Sequence, residues 1–411
     1  MKTLKFIFIL FILSLPFTSA FAINDIATLP MFLAIFFFII YILGVFVHQF
    51  DIILKNSLFL FSWFVCILIS YFINPTGQKS VNHIVMYFLT VFCLYWGIRN
   101  IMIFIVQKDS NFFIVILKYL ALIVFISSIY ALTEFVCINI LGININQYIP
   151  REAIKEYFPE SYRGFIRARG FNSESGGLAF FLETLAPISV YYVFKSSFNA
   201  LYKLLYTLIL ILSLIVTFSS FGYISFIIAC VVFLYSYLTQ STKKQNLLLR
   251  LFITVCFIFA ILIFFNNIVD LFRSVIETKM IGSERYDARL SGIYAGFNYM
   301  KGENWLFGFG PASYDTLGTD KYYSFYFTVL MDSGLFGLFF LMLFLITHFF
   351  ILFRIKNKNL KYCFLISLAS ATIHYAYMGG YYLPYYWLFL SIMYVYYLQE
   401  KSIYKTKLNN K

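Results

Sequence analysis

Seven arginines, Arg151, Arg163, Arg167, Arg169, Arg273, Arg285 and Arg289, fall in two polar stretches of an otherwise apolar chain. A guanidinium stays charged when desolvated and holds phosphate oxygens with a planar fork, so arginines grouped this way suit an anionic ligand. Balance against neighbouring Glu and Asp is the plainer alternative for any one of them. Arg167-Ala-Arg169-Gly-Phe-Asn-Ser-Glu174-Ser-Gly-Gly runs from a polar stretch into an apolar one, which brings cationic groups close to helix N-terminal amides. Arg285-Tyr-Asp287-Ala-Arg289 opens a helix-like stretch to Met300. It is followed by Trp305-Leu-Phe-Gly308-Phe-Gly310-Pro311-Ala-Ser313-Tyr, a glycine turn flanked by aromatics. Aromatic faces stack on sugar rings, so this turn is a candidate glycan platform; core packing is the alternative for any single ring.

These stretches need a scaffold, and composition says what kind. The chain has 411 residues, is 62% hydrophobic and only 12% charged, with a mean hydropathy of +0.83. A water-soluble fold has too little interior for that much Phe, Ile and Leu, so lipid must be the solvent. About 20 apolar residues cross the hydrocarbon, and windows of that kind occur at 3–22, 28–47, 57–73, 83–105, 112–138, 177–194, 201–217, 221–238, 248–268, 324–353, 360–377 and 382–398. The expectation is one all-α polytopic membrane domain over 1–411 with about 12 transmembrane helices. Its two long hydrophilic loops cover about 139–176 and 269–323, and Arg151–Phe158 reads as a short amphipathic helix within the first. Met1–Ala22 also has the three parts of a secretory signal, and an uncleaved first helix is the preferred alternative.

Charge fixes the expected orientation. With the N-terminus inside, the inner side carries nineteen of the 31 Lys and Arg against three acids, whereas the outer side is near neutral. Both termini are then cytoplasmic and both long loops face outward, into the periplasm of a bacterial inner membrane. The +13 net charge is thus a topology signal, with no motif for nucleic acid. Six cysteines in apolar windows and four scattered histidines suggest no metal site, and no nucleotide-binding glycine pattern is present, so no cofactor is expected. Glu134 and Glu183 lie inside spans, where an ionisable group needs a partner or a cavity. A transporter would show internal repeats and short connections on both sides; the two long outer loops and the lack of a visible repeat weigh against one.

Three features together resemble the O-antigen polymerase and ligase family of bacterial envelope glycosyltransferases (the Wzy/WaaL type). They are Arg167-x-Arg169-Gly-Phe running into a helix with Leu178, Ala179 and Pro187, Arg289 about twenty residues before the 306–311 turn, and Asp332-Ser-Gly334-Leu-Phe-Gly337 at the start of the next span. The resemblance implies a GT-C-like bundle that transfers a glycan from an undecaprenyl diphosphate carrier, without metal or nucleotide, to an acceptor sugar hydroxyl at the periplasmic face. It implies catalytic roles for Arg169, Arg289 and Arg167, and substrate contacts for Glu174, Arg285, Asp287, Gly308, Gly310, Tyr323 and Asp332. Expected partners are the undecaprenyl-diphosphate-linked oligosaccharide, membrane lipid and a Wzz-like chain-length regulator. Ligases of this family carry a His-Asn pair where this chain reads Tyr322-Tyr323-Ser324-Phe325. That departure favours an O-antigen polymerase over a ligase acting on lipid A-core, and Glu174, Glu284, Asp287, Asp315, Asp320 and Asp332 remain open as bases.

Overall fold

The computed structural model describes residues 1–23, 27–75, 77–151, 161–162, 164–239, 284–319 and 321–409. In chain order the helices are α1 (Lys2–Ser14), α2 (Leu29–Phe46), α3 (Leu58–Ile73), α4 (Gln78–Phe88), a π-helical segment (Leu89–Gly97), α5 (Ile98–Lys108) and α6 (Phe112–Asn139). They continue with α7 (Ser175–Lys195), α8 (Ala200–Ile215), α9 (Ser220–Thr239), α10 (Glu284–Tyr299), α11 (Asn304–Phe307) and α12 (Ser313–Thr316). The last three are α13 (Phe325–Arg354), α14 (Lys358–His374) and α15 (Pro384–Asn409). The one two-stranded hairpin described pairs Ser161–Tyr162 with Phe165–Ile166 in the first loop. Eleven of the twelve expected windows coincide with helices, and 248–268 lies outside the described residues. Five helical stretches, Leu29–Phe46, Gln78–Lys108, Phe112–Asn139, Ser175–Lys195 and Phe325–Arg354, are long and apolar enough to cross a membrane, with shorter apolar helices such as Leu58–Ile73 and Ala200–Ile215 beside them. The chain is an all-α polytopic membrane protein.

Helix α2 shows why lipid is the solvent. Met31, Ala34, Phe37 and Tyr41 are buried against the bundle. Leu29, Phe32, Phe36, Ile39, Leu43 and Phe46, at the same three- and four-residue spacing, are exposed on the other side. A helix apolar on both faces gains nothing from water on either. Inside, Phe8 and Phe11 of α1 pack edge-on against Phe37 and Phe112, so aromatic contacts tie α1 to α2 and α6.

The first helix ends at Ser14, short of the expected residue 22. Pro16 has no N–H to continue the ladder. The chain turns instead along the first loop: the Ala20 N–H donates to Phe171 O and the Phe21 N–H to Pro150 O. Arg151 accordingly sits in a bridge with Ala20, while the rest of the expected amphipathic helix lies outside the described residues.

Described segments of both loops lie at one end of the bundle. There Asn74 reaches Gly308 O, Ala168 N–H reaches Val216 O, and Lys79 pairs with Asp315. At the other end Lys5 pairs with Asp109, and Glu400 accepts the N–H groups of Lys356 and Asn357. Fully buried Arg99 donates to the carbonyls of Ile53 and Lys55 in the α2–α3 connection and stacks between Tyr95 and Tyr394. Backbone carbonyls and aromatic faces thus satisfy a cation that would otherwise be costly in a dry interior.

Candidate active site at the loop end

The first half of the site is built around Glu134, near the loop end of α6. Its Oε2 accepts the backbone N–H groups of Arg169 (3.1 Å) and Gly170 (2.7 Å), and its Oε1 accepts from Asn146 (2.6 Å). Arg151 completes the clamp by donating to Gly170 O, Asn172 O and the Asn146 side chain. Phe171 stacks on Tyr130 at 4.4 Å. Gly170 has a φ of 60°, with Leu178 packed where a side chain would begin. Four hydrogen bonds and a ring stack therefore hold the turn over residues 169–172, and Arg169 within it inherits that rigidity. Arg169 is buried at 7% exposure, and Arg167 donates from Nε to Thr217 O.

This differs from the sequence expectation in one respect. The amides of Arg169 and Gly170 are occupied by a carboxylate, so anion binding near them falls to the guanidinium groups and the first turn of α7. That helix starts at Ser175 with no side-chain cap, and Glu174, its N-cap residue, is exposed.

The second half joins the glycine turn to α13. Helix α13 is broken at Gly334 (φ 68°, ψ −169°), a conformation that essentially only glycine adopts. The break frees the Met331 carbonyl, which accepts the Phe309 N–H at 2.7 Å. A Cβ on Gly334 would lie 2.2 Å from Leu306 O, and one on Gly308 would lie 2.7 Å from Met331 O. Gly310 donates its N–H to Ser70 Oγ and, like Gly308, packs against the end of α3 through Asn74. The two glycine motifs are therefore the two sides of one backbone-to-backbone contact.

Asp332 lies just before the break and is fully buried. Its Oδ1 accepts from the Ser313 hydroxyl (2.9 Å) and its Oδ2 from the Tyr87 hydroxyl (2.7 Å). Tyr87 stacks on Tyr381 with ring centroids 4.1 Å apart, and the Tyr381 hydroxyl lies 3.2 Å from His83 Nδ1. His83 Nε2 faces the Tyr314 hydroxyl at 3.5 Å, which closes a ring of side chains back to Ser313. Burial, reinforced by the Asp332 charge, holds the Tyr381 hydroxyl well above the ordinary tyrosine range. It therefore acts as a neutral hydrogen-bonding group. Lys321 lies over the Tyr314 ring, and Lys79 and Asp315 are exposed at the rim.

Of the expected site residues, Arg167, Arg169 and Glu174 share the first half; Gly308, Gly310 and Asp332 share the second, with Tyr323 half exposed nearby. Arg285, Asp287 and Arg289 fall in the first turns of α10; their side chains, with Glu284, and all of Arg163, Arg273 and Asp320 lie outside the described residues. Sequence reading missed His83, Tyr87 and Tyr381, whose only signal is their polarity inside apolar surroundings. It also missed the partner of Glu183: His374 Nδ1 sits 2.9 Å from Glu183 Oε2, with both residues buried.

No curated protein matches the chain. Residues 205–342 match the family described as O-antigen ligase (Wzy_C), a stretch that contains Arg285, Arg289, the glycine turn and the Asp332–Gly337 segment, while Arg167 and Arg169 precede it. That match covers about a third of the chain; together with the contact between the glycine turn and the Asp332–Gly337 segment, it supports a place in the O-antigen polymerase/ligase family.

Proposed function

We propose that the protein is an O-antigen polymerase, transferring a glycan from undecaprenyl diphosphate to a hydroxyl of the next lipid-linked repeat unit at the periplasmic face of the inner membrane. The observation that supports this reading is the fixing of the Arg169 backbone by Glu134: a buried cation is carried on an anchored turn just before α7, at the loop end of α6. As the bond from the anomeric carbon to the diphosphate oxygen breaks, its electron pair moves onto the diphosphate. A guanidinium already in position stabilises that charge most in the transition state, where it raises the rate. Arg167 and Arg289 are assigned the same task, and the exposed aromatics Trp305 and Tyr323 supply faces for sugar rings. The diphosphate linkage carries the energy of the reaction, so no nucleotide is required.

Polymerase is preferred to ligase because Tyr323 and Ser324 stand where family ligases have a His-Asn pair. A Wzz-like protein that sets chain length fits the same assignment. Deleting the gene and running the lipopolysaccharide on a gel tests the choice. A single-repeat band in place of the ladder supports the polymerase. Loss of all O-chain from the lipid core, with lipid-linked polymer accumulating, identifies a ligase.

A further inference from the structure

The Glu183–His374 pair joins α7 to the last residue of α14 across 191 positions of chain. The carboxylate at Nδ1 fixes the ring tautomer with its proton on that nitrogen and leaves Nε2 the basic one. The Glu183 side chain has no solvent exposure, yet its second oxygen, Oε1, has no hydrogen-bond partner among the described residues. An unmet carboxylate oxygen in a dry interior is unfavourable, so a polar group belongs beside it. Pro187 adds to this polarity by removing the N–H that the Glu183 carbonyl would otherwise accept. Ser367 and Ser370 precede His374 by seven and four residues, on the same face of α14, and their buried hydroxyls also lack hydrogen-bond partners among the described residues. The pair lies roughly 12 Å along α7 from Ser175 at 1.5 Å per residue, below the turn that carries Arg167 and Arg169. At the level of His374, the Tyr375 carbonyl accepts the N–H of Phe325, the first residue of α13.

We infer that His374 accepts the proton of the acceptor sugar hydroxyl, with Glu183 as its positioning residue; this rests on the glycosyl-transfer reading above. The hydroxyl oxygen bonds to the anomeric carbon while the bond to the diphosphate breaks. The proton passes to His374 Nε2, and Glu183 stabilises the imidazolium that forms. His83 is less suited to this role. Its ring faces two tyrosine hydroxyls, and Lys79, one helical turn away, together with Lys321 over Tyr314, opposes a further positive charge there.

The test uses membranes containing the full-length protein and a polyprenyl-diphosphate-linked repeat unit as donor and acceptor, with sodium azide as a nucleophile that needs no deprotonation. His374→Gln and Glu183→Gln are expected to lower polymerisation by about 10²-fold or more. Azide is expected to restore donor consumption in both, with a glycosyl azide as product, and to leave Arg169→Lys unrescued. Polymerisation within about threefold of wild type in His374→Gln, on the same scale, overturns the assignment. So does a loss that azide does not rescue in either variant, which marks the pair as structural. If the wild-type membranes consume no donor at all, the glycosyl-transfer reading fails first, and the inference falls with it.

Discussion

The Glu134 carboxylate accepts the Gly170 N–H at 2.7 Å, across 36 positions of sequence. An acid inside an apolar span is costly unless partnered. Here the partners are two backbone amides and the Asn146 side chain, so Glu134 acts as the anchor of the arginine turn. Glu134→Ala leaves those donors buried and unmet, at about 1–3 kcal/mol for each. The expected outcome is loss of the chain-length ladder, whereas Glu134→Gln, which keeps an acceptor oxygen, retains part of it. Ladder length on a lipopolysaccharide gel, normalised to protein in the membrane fraction, gives the comparison.

The Gly308–Gly334 contact makes a prediction about stability with an internal control. Gly334→Ala forces a side chain to within 2.2 Å of Leu306 O at a glycine-only conformation. Gly302 also has a positive φ, but nothing lies within 4 Å of a Cβ there. Gly302→Ala therefore costs only the backbone term of about 1–2 kcal/mol, and Gly334→Ala costs more because the second loop must also separate from α13. Thermal unfolding in detergent should show a clearly larger drop for Gly334→Ala; equal drops would refute the docking.

Asp332 ties Ser313 to Tyr87, so removing either donor weakens the same carboxylate. Tyr87→Phe and Ser313→Ala are each expected to destabilise by about 1.5–3 kcal/mol, the range for hydrogen bonds to a charged group. Because both act on one carboxylate, their effects should be non-additive by at least about 0.5 kcal/mol. A double-mutant cycle by detergent unfolding measures that coupling, and additivity would show that the ring of side chains is not a unit.

Arg99 offers a contrast, since it lies far in sequence from both loops and grips backbone carbonyls. Arg99→Lys keeps the charge but loses the planar fork and the stack between Tyr95 and Tyr394. It should lower protein abundance in the membrane, while chain length per molecule of protein stays the same. A shortened ladder at normal abundance would contradict a purely structural role.

The helices were legible because an apolar run of membrane length has one outcome in lipid. The exceptions have local causes. Pro16 stops α1 early, and Gly334 breaks a run of hydropathy that reads as continuous, with the glycines alone as a signal. The arginine turn stood out in the sequence as a candidate for chemistry, but its anchor did not. Glu134 shows in the sequence only that it requires a partner, and that partner lies in another segment. The same holds for Glu183. Scattered histidines carry no spacing pattern, and only the packing of α14 on α7 brings His374 to it.

The central claim, that Arg169 stabilises the departing diphosphate, is tested most directly by Arg169→Lys, with polymer length and protein abundance measured in the same membranes. Lysine keeps the charge and loses the fork. The account predicts normal abundance with the ladder collapsed to single-repeat caps. A normal ladder in that variant would contradict it.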